Sequence, residues 1–323
     1  MSFERQLGEL CEQTSALHRA LSSVLVQSEA LIEGLLIALA SHGHVLLEGP
    51  PGVGKTLALK ALSASVGLEL KRVQMTPDLM PSDLIGGLVL QERPGEGAQL
   101  VFKEGPIFTE LLFTDELNRA NPRTQAALLE AMAERQVSVE GAPRRLGPPF
   151  LVCATQNPLE VEGTFALPAA QADRFMLKLN TPLPSASALS ELLEAQPHER
   201  LSALTPIVSR AHLLTWPSVA RQVVCAPRLK AKLIQLIIST RPEEAPPALK
   251  PLLVGGVSPR GAQDLLLAMQ ARAALKGRPH VNEEDLHRCA LPVLAHRLGR
   301  SWEAQAAQQS AEGLVVRLLE ALS

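Results

Sequence analysis

Short apolar runs alternate with helically spaced segments through the first half of the chain. Five runs have the length and apolar character of buried strands: residues 45–47, 70–74, 111–114, 150–155 and 176–179. Between the first two, residues 56–66 carry apolar side chains on one helical face and are followed by Gly67, a residue type common just beyond a helix. Alternating strands and helices predict an α/β fold in which helices cover both faces of a parallel sheet.

Two stretches interrupt this alternation with turn signals. Residues 89–91 and 100–102 flank a segment, 93–97, that contains one proline and two glycines, and this pattern predicts a β-hairpin. Residues 136–143 predict a second hairpin, because valines alternate with polar residues before a Glu-Gly turn. We therefore expect two β-hairpins inserted in the α/β core.

Strand signals end near Pro184, and helix-start signals take their place. Residue types that favour helix N-termini recur at Ser185, Pro217, Pro227, Ser258 and Asn282. Gly277 is expected to end the helix that begins near Pro259. Residues 242–251 are proline-rich and predict a loop, and residues 302–322 predict a last helix whose apolar face packs within its own domain.

These signals predict two domains. The first 40 residues have helical spacing and precede the strand and helix alternation. We expect an α/β core with N-terminal helices over residues 1–183 and an all-helical domain over residues 184–323, joined through a proline-containing segment.

Composition narrows the classes of function. The net charge of −2, the pI near 6.5 and the 3% aromatic content are unlike those of a generic nucleic-acid binder, so no specific nucleic-acid partner is expected. Four widely spaced cysteines, without a C-x-x-C pair or a secretory signal, indicate reduced thiols in a cytoplasmic protein, with Cys153 buried in its strand. The most apolar stretch, residues 30–40, is too short for a bilayer and contains Glu33, so no membrane segment is expected.

Residues 49–56 read GPPGVGKT and match the phosphate-binding pattern G-x-x-x-x-G-K-[ST]. They lie between the first strand and the first core helix, where backbone N–H groups and the helix dipole point at one spot. We expect Lys55 to reach the β- and γ-phosphates and the Thr56 hydroxyl to bind Mg²⁺. The sequence therefore predicts that a nucleoside triphosphate binds to this loop, which consists of Gly49, Pro50, Pro51, Gly52, Val53, Gly54, Lys55 and Thr56.

Two carboxylates, Asp115 and Glu116, follow the third apolar run. A buried strand would deliver Asp115 to the sheet edge beside the phosphate loop, where it can hold the water shell of Mg²⁺. Glu116 would then polarise the water that attacks the γ-phosphate. Asn157 follows the next strand and either orients the same water or forms a turn before Pro158.

Two arginines have the chemistry to stabilise a phosphoryl-transfer transition state. Arg174 precedes the last core strand, and Arg260 opens a helix of the second domain. A guanidinium can neutralise negative charge as the phosphoryl group is transferred. Because an arginine at such a position more often forms a surface salt bridge, both interpretations stay open at this point.

In combination, these segments resemble those of AAA+ ATPases, and among them the MoxR family, over nearly the whole chain. The resemblance is carried by an ordered set of segments: GHVLLEGPPGVGKT (43–56), MTPDLMPSDLIGG (75–87), FKEGPIFTELLFTDELNRANPRTQAALLEAMAERQVSV (102–139), ATQNPLEVEGTFALPAAQADRF (154–175), GVSPR (256–260) and LAHRL (294–298). It implies an AAA+ core followed by a helical lid. The hairpins near 89–102 and 136–146 resemble the helix-2 insert and the pre-sensor-1 hairpin.

The resemblance also implies a role for each candidate residue. Asp115 and Glu116 correspond to the Walker B pair, and Asn157 corresponds to sensor 1. Arg174 corresponds to the arginine finger, which completes the site of a neighbouring subunit, and Arg260 corresponds to sensor 2 of the lid. Family members use ATP and Mg²⁺, commonly form hexameric rings, and act as chaperones that assemble, activate or remodel protein complexes. Their partners often contain a von Willebrand factor A domain.

One departure and two alternatives stand beside this interpretation. Val26 occupies a position near the adenine where family members usually have glycine, which can alter the backbone there. The first alternative is an ATP-gated assembly and docking scaffold with incidental hydrolysis. The second is a DNA-translocating ring motor, which the two hairpins suggest and the mild acidity and few aromatic residues oppose. The complete set of catalytic-type residues favours the ATP-driven chaperone.

Overall fold

The computed structural model describes residues 2–93, 97–157, 163–195 and 197–322. Its strands are β1 (Val45–Glu48), β2 (Leu70–Gln74), β3 (Gly86–Arg93), β4 (Gly97–Glu104), β5 (Leu111–Asp115), β6 (Gln136–Val139), β7 (Ala142–Arg145), β8 (Leu151–Gln156) and β9 (Leu177–Asn180). Five strands form one parallel sheet in the order β2-β5-β8-β1-β9. They are the five runs predicted from the sequence, so the predicted parallel sheet is confirmed.

Six α-helices precede the last strand of the sheet, and eight follow it among the described residues. The first six are α1 (Phe3–Val24), α2 (Glu29–Ser41), α3 (Lys55–Val66), α4 (Pro81–Ile85), α5 (Pro122–Glu134) and α6 (Ala169–Ala172). The region after β9 contains α7 (Ala186–Glu194), α8 (Pro197–Ser202), α9 (Arg210–Gln222), α10 (Pro227–Ser239), α11 (Pro259–Leu275), α12 (Glu283–Leu294), α13 (Trp302–Ala306) and α14 (Ala311–Glu320). None of the helices within the described ranges is long and apolar enough to cross a membrane.

Helices cover both faces of the sheet. On one face, Val45 and Leu47 belong to an apolar cluster with residues of α1, α2 and α3, whereas Leu46 packs on the other face with residues of α5. Strands buried on both faces read as continuous apolar runs, which explains why they could be predicted. Cys153 lies in register with Val45 and is buried, and desolvation raises the pKa of its thiol to about 12. It is the small buried hydrophobe that the sequence predicts.

The N-terminal helices share an apolar core with the helical region. Leu17 of α1 and Leu35 of α2 belong to the same cluster as Leu265 of α11 and Ala290 of α12. Helix α11 packs against both α1 and α2. The domain boundary at residues 183–184 stays a prediction.

Both predicted hairpins are present. In the first, β3 pairs with β4 so that Leu90 is opposite Leu100, and the tip predicted at 93–97 lies largely outside the described residues. In the second, β6 pairs with β7. The Arg144 guanidinium lies 3.9 Å from the centre of the Phe102 ring, so a cation–π contact joins the two hairpins.

Most predicted helix starts in the C-terminal region are confirmed by side-chain caps. Ser185, Ser258 and Asn282 each accept a backbone N–H from the first turn of α7, α11 and α12, and Pro227 is the first residue of α10. Gly277 follows α11 with a left-handed φ of 68°, as its predicted role beyond that helix requires.

Pro217 does not begin a helix, and that prediction was wrong. It lies inside α9, which begins at Arg210 after the capping residue Ser209. Proline lacks the N–H that would bond the carbonyl four residues earlier, at Leu213. The His42 ring supplies a donor instead, with Nε2 3.2 Å from the Leu213 carbonyl oxygen. The hydrogen bond from His42, which is distant in sequence, therefore compensates for Pro217 inside the helix. Sequence patterns near Pro217 alone predict a helix start there.

The last predicted helix is two helices. Residues 307–310 separate α13 from α14, with Gln308 in a left-handed conformation at φ 52°. Ser310 accepts the backbone N–H of Gly313 and thereby caps α14. A continuous helix over 302–322 was wrong because this capping bond starts a new helix. The apolar face of α14 is buried, as predicted, through Leu314, Val315, Leu318 and Leu319.

Candidate nucleotide-binding site

The glycine-rich loop joins the end of β1 to the start of α3. Gly52 and Gly54 have φ values of 81° and 87°, in the left-handed region where a Cβ is costly. Gly54 is the residue immediately before α3, so the loop leads directly into the helix N-terminus. This arrangement directs backbone N–H groups and the positive end of a helix dipole to one side of the loop.

The ammonium of Lys55 bends back over the loop. Its Nζ donates to the carbonyls of Gly49 at 2.6 Å and Pro50 at 2.8 Å. Burial lowers the pKa of Lys55, and the charges of Asp115 and Glu116 oppose that shift. These two acidic groups therefore act electrostatically on the lysine, as expected for groups of one site.

Asp115 ends β5, next to the end of β8. Its Oδ1 accepts the hydroxyl hydrogen of Thr155 at 2.6 Å, and its Oδ2 lies 2.5 Å from Nη2 of Arg72. Strand β5 pairs with both β2 and β8, which brings these side chains to the same sheet edge. The carboxylate is thus held from both neighbouring strands.

Glu116 has a left-handed backbone conformation at φ 57°. Non-glycine residues in this region carry strain and are enriched at functional sites. The backbone N–H of Glu116 donates to Thr155 Oγ1 at 2.8 Å, which stabilises the conformation. The carboxylate Oε2 accepts from Gln74 Nε2 at 2.7 Å and lies 3.1 Å from Arg119 Nη1. Gln74 and Arg119 thus set the direction of this side chain.

One cavity of about 480 Å³ brings the predicted site residues together. The loop, both carboxylates and the buried Asn157 all contribute to its wall. Its lining includes Pro51, Gly52, Gly54, Lys55, Thr56, Arg72, Gln74, Asp115, Glu116, Thr155 and Asn157.

A second cavity of about 490 Å³ shares the loop with the first. Its wall is largely apolar and includes Val26, Val53, Leu57 and Leu192. Val26, which the family resemblance puts near the adenine, is part of this wall, and its role in base recognition stays a prediction. The neighbouring residue Gln27 hydrogen-bonds to Ser185 and Ser187 of the helical region.

The two predicted arginines do not line either cavity. Arg174 is half-buried, and its Nη1 donates to the Leu129 carbonyl of α5. Arg260 is exposed on the first turn of α11, close enough for its charge to act on Asp264. Within one subunit the structure brings neither guanidinium into the cavity, so the predicted roles of both stay predictions.

Sequence reasoning missed four residues that orient the predicted side chains: Arg72, Gln74, Arg119 and Thr155. Thr155 is the only one with a usable signal, since it is a polar residue in a buried strand two positions before Asn157. Arg72 and Gln74 lie on the edge strand β2, where alternating polar residues are also typical of an exposed strand face.

Comparison with known proteins decides the family. The family model described as "ATPase family associated with various cellular activities (AAA)" matches residues 44–177, and the model "AAA lid domain" matches residues 248–315. The chain is 36% identical to Chaperone MoxR1 of Mycobacterium tuberculosis, over 97% of this chain and 84% of that protein. It belongs to the MoxR family of AAA+ ATPases.

Two further comparisons agree with this membership. The chain is 34% identical to Protein MoxR of Paracoccus denitrificans, over 94% of this chain and 92% of that protein. A solved structure of a candidate ATPase from Cytophaga hutchinsonii is similar with a TM-score of 0.88 at 32% identity, covering 98% of this chain and 96% of that one. The AAA+ core, the helical lid and the ATPase class implied by the sequence resemblance are therefore confirmed for this MoxR-family chain.

Proposed function

We propose that this chain is a MoxR-type chaperone that uses ATP hydrolysis to assemble, activate or remodel a protein complex. The observation that carries the proposal is the cavity in which Lys55, Asp115, Glu116 and Asn157 meet beside the glycine-rich loop. Glu116 and Asn157 line the same cavity as the phosphate loop. A protein that only binds nucleotide has no need for these two groups, which can activate a water. The name of Chaperone MoxR1, a relative, supports the chaperone part.

The residues present fit a nucleotide with Mg²⁺. The loop supplies N–H donors and an ammonium for phosphate oxygens, and the Thr56 hydroxyl and Asp115 carboxylate are the hard oxygen donors that Mg²⁺ prefers. The described residues contain no cluster of three metal-ligating side chains. Mg²⁺ at triphosphate sites is commonly held by one or two protein oxygens together with phosphates and waters. When bound, the ion would neutralise charge on the phosphates.

Each catalytic group then has a separate task. Glu116 would orient and polarise the attacking water, and Asn157 would hold that water through an amide that both donates and accepts. Gln74 and Arg119 both contact Oε2 of Glu116, so they would set the direction in which the carboxylate meets the water. The apolar second cavity beside Val53 and Leu57 would receive the base.

Arg174 and Arg260 would act through assembly and lid movement. Members of the AAA+ family are commonly oligomeric, and we propose a hexameric ring in which Arg174 reaches the phosphates of the neighbouring subunit. Arg260 would approach the γ-phosphate of its own subunit when the lid closes. Neither arginine lines the cavity of a single subunit, so both roles depend on these further movements or contacts.

The decisive test is Glu116→Gln. We expect this variant to retain ATP affinity and to lose at least about 100-fold in steady-state turnover, because a general base commonly contributes that much. Glu110→Gln is the matched control, since Glu110 precedes the opposite end of β5 and pairs with Arg210. Unchanged turnover in Glu116→Gln would refute the assignment. Partner binding and cellular function that survive in this variant would favour the ATP-gated scaffold instead.

We also propose a cytoplasmic location and a partner with a von Willebrand factor A domain. ATP-locked Glu116→Gln protein should retain its client and that partner through affinity capture from native lysate. Recovery of neither class of protein, from lysate in which the ring is intact, would contradict this part of the proposal.

A further inference from the structure

Arg297 is a buried lid residue whose side chain holds the backbone around Arg174. It lies in a 3-10 turn, Ala295–Arg297, directly after α12, and its side chain is only 1% exposed. Its guanidinium donates to the carbonyls of Asp173 at 2.9 Å, Phe175 at 2.8 Å and Met176 at 3.2 Å. The carbonyls on both sides of Arg174 are therefore bound by one side chain from the lid.

The carboxylate of Asp173 strengthens this attachment. Its Oδ1 lies 2.8 Å from Nε of Arg297, and it also accepts the hydroxyl hydrogen of Ser258. Ser258 caps α11, the helix whose first turn carries Arg260. Asp173, the residue before Arg174, therefore contacts two lid side chains directly, those of Ser258 and Arg297.

The other end of the contact lies on α11. Nη2 of Arg297 is 2.5 Å from Asp264 Oδ2, and Nη1 donates to the Val293 carbonyl of α12 at 2.7 Å. Gly261 leaves room for the packing, because a Cβ there would lie 2.9 Å from Arg297 Cδ. A planar guanidinium offers donors in fixed directions, so all of these groups are held in one geometry.

A buried ionic group of this kind is weak evidence for stability, because desolvation of the charges offsets their attraction. What it fixes well is direction and distance. Arg297 holds the backbone carbonyls of the segment 173–176, which contains Arg174. It therefore fixes the backbone from which the Arg174 side chain projects.

We propose that Arg297 is a positioning residue for Arg174. It fastens the lid of a subunit to the loop that presents the finger, so a lid movement at the subunit's own site displaces the finger that serves its neighbour. This inference rests on the proposed role of Arg174 between subunits. It adds a route by which neighbouring sites communicate.

The test uses mixed oligomers of two kinds of subunit. Donor subunits carry Glu116→Gln, so they do not hydrolyse ATP but present Arg174. Acceptor subunits carry Arg174→Ala, so they keep a competent site but present no finger. This mixture, without a change at Arg297, is the parent mixture. Its turnover in excess of that of either variant alone measures how well the donors supply Arg174 to the acceptor sites.

Arg297→Met is then placed in one kind of subunit at a time. In donors we expect rescue to fall about 10-fold or more, because small misplacements of a catalytic group have large effects on rate. In acceptors, whose finger is already absent, we expect a change below about 2-fold. Arg297→Lys in donors should restore part of the rescue, since it keeps the charge but has fewer donors.

Arg272→Met is the matched control. Arg272 is another buried lid arginine and pairs with Glu33, Glu284 and Asp285, but it contacts neither Arg174 nor its flanking residues. A general loss of lid structure would affect donors and acceptors alike, so this control should show no difference between the two placements.

Three results would overturn the proposal: an equal loss from both placements of Arg297→Met, a loss from acceptors alone, or full rescue by assembled donors. If Arg297→Met does not assemble, Asp264→Asn replaces it. This variant weakens one partner of Arg297, and a donor-specific loss is again expected, so its absence counts against the proposal. Failure of the underlying function is seen separately, because the parent mixture itself would then show no rescue.

Discussion

The Thr155 hydroxyl lies 2.6 Å from Asp115 Oδ1 and joins the ends of two adjacent strands. The same oxygen accepts the backbone N–H of Glu116 at 2.8 Å. Buried hydrogen-bond networks are specific when each member has its partner. Thr155 therefore holds the proposed metal ligand and the proposed base in one arrangement, two residues before Asn157.

Thr155→Val is expected to reduce turnover while the fold remains. Valine keeps the shape of threonine but lacks the hydroxyl, so Asp115 loses a donor and the Glu116 N–H loses its acceptor. We expect a stability loss of about 1–3 kcal/mol and a decrease in turnover of about 10-fold or more. Urea unfolding measures the first quantity, and steady-state phosphate release with saturating ATP measures the second.

Thr114→Val is the control for that experiment. Thr114 is a buried threonine of β5, and its hydroxyl oxygen has no hydrogen-bond partner among the described residues. Removal of this hydroxyl should be neutral or stabilising, with turnover unchanged. If the two variants lose turnover equally, the hydroxyl of Thr155 has no special role.

Gln74→Ala should release the proposed base. Gln74 Nε2 lies 2.7 Å from Glu116 Oε2 and competes with water for that oxygen. We expect basal turnover to rise about 2- to 5-fold with little change in ATP affinity, as one competing hydrogen bond of modest net strength is removed. Lys71→Ala, on the same strand and bonded to the Phe108 carbonyl instead, is the control. Lower turnover in Gln74→Ala would show that the contact assists catalysis.

Two buried histidines should make stability dependent on pH. Desolvation lowers the pKa values of His44 and His296 to about 3, from 6.5 in an exposed histidine. Between these values the unfolded state binds more protons, so stability is complete above about pH 6.5 and decreases as the pH falls toward 3. At pH 5 each histidine should cost about 2 kcal/mol relative to neutral pH.

His296→Gln isolates one of these contributions. Nε2 of His296 lies 2.9 Å from the Phe175 carbonyl oxygen, and a glutamine amide can donate from a similar position without titrating. The difference in unfolding free energy between pH 7.5 and pH 5 should shrink by about 2 kcal/mol. His287→Gln, at an exposed position, should leave the difference unchanged. An unaltered difference in His296→Gln would mean that His296 is not neutral in the folded state.

The contact between His42 and the proline-containing helix α9 can be tested by a double-mutant cycle. His42→Asn tolerates the left-handed backbone at φ 52° but is too short to reach the Leu213 carbonyl, so a loss of about 1–3 kcal/mol is expected. Pro217→Ala supplies the missing N–H to the same carbonyl. The second change should recover most of the loss in the double variant, and strict additivity of the two effects would argue against this account.

Sequence reasoning succeeded where one physical signal dominated. The parallel strands are buried on both faces and therefore read as uninterrupted apolar runs, and the phosphate loop needs its glycines for backbone reasons alone. Sequence reasoning failed where a residue distant in sequence decides whether a helix forms. His42 permits Pro217 inside a helix, and no periodicity within residues 210–222 records the presence of that ring.

In the site, the sequence likewise predicted the residues that follow strands but not the residues that orient them. Asp115, Glu116 and Asn157 follow strands, so chain order places them at one edge of the sheet. The partners that orient them come from β2 and β8 through pairings that depend on strand order in the folded sheet. Arg297 has no local sequence signal, because its six hydrogen-bond acceptors are distributed over the core and two lid helices.

The continuity between the N-terminal helices and the lid has a practical consequence for protein engineering. The AAA match begins at residue 44, after both α1 and α2. A fragment trimmed to that match would expose the sheet face that Leu17 and Leu35 help to cover and would remove Val26 from the proposed base cavity. The N-terminal helices thus belong to the same apolar core as the matched residues, so a truncation at the amino end is expected to expose apolar surface and to lower solubility.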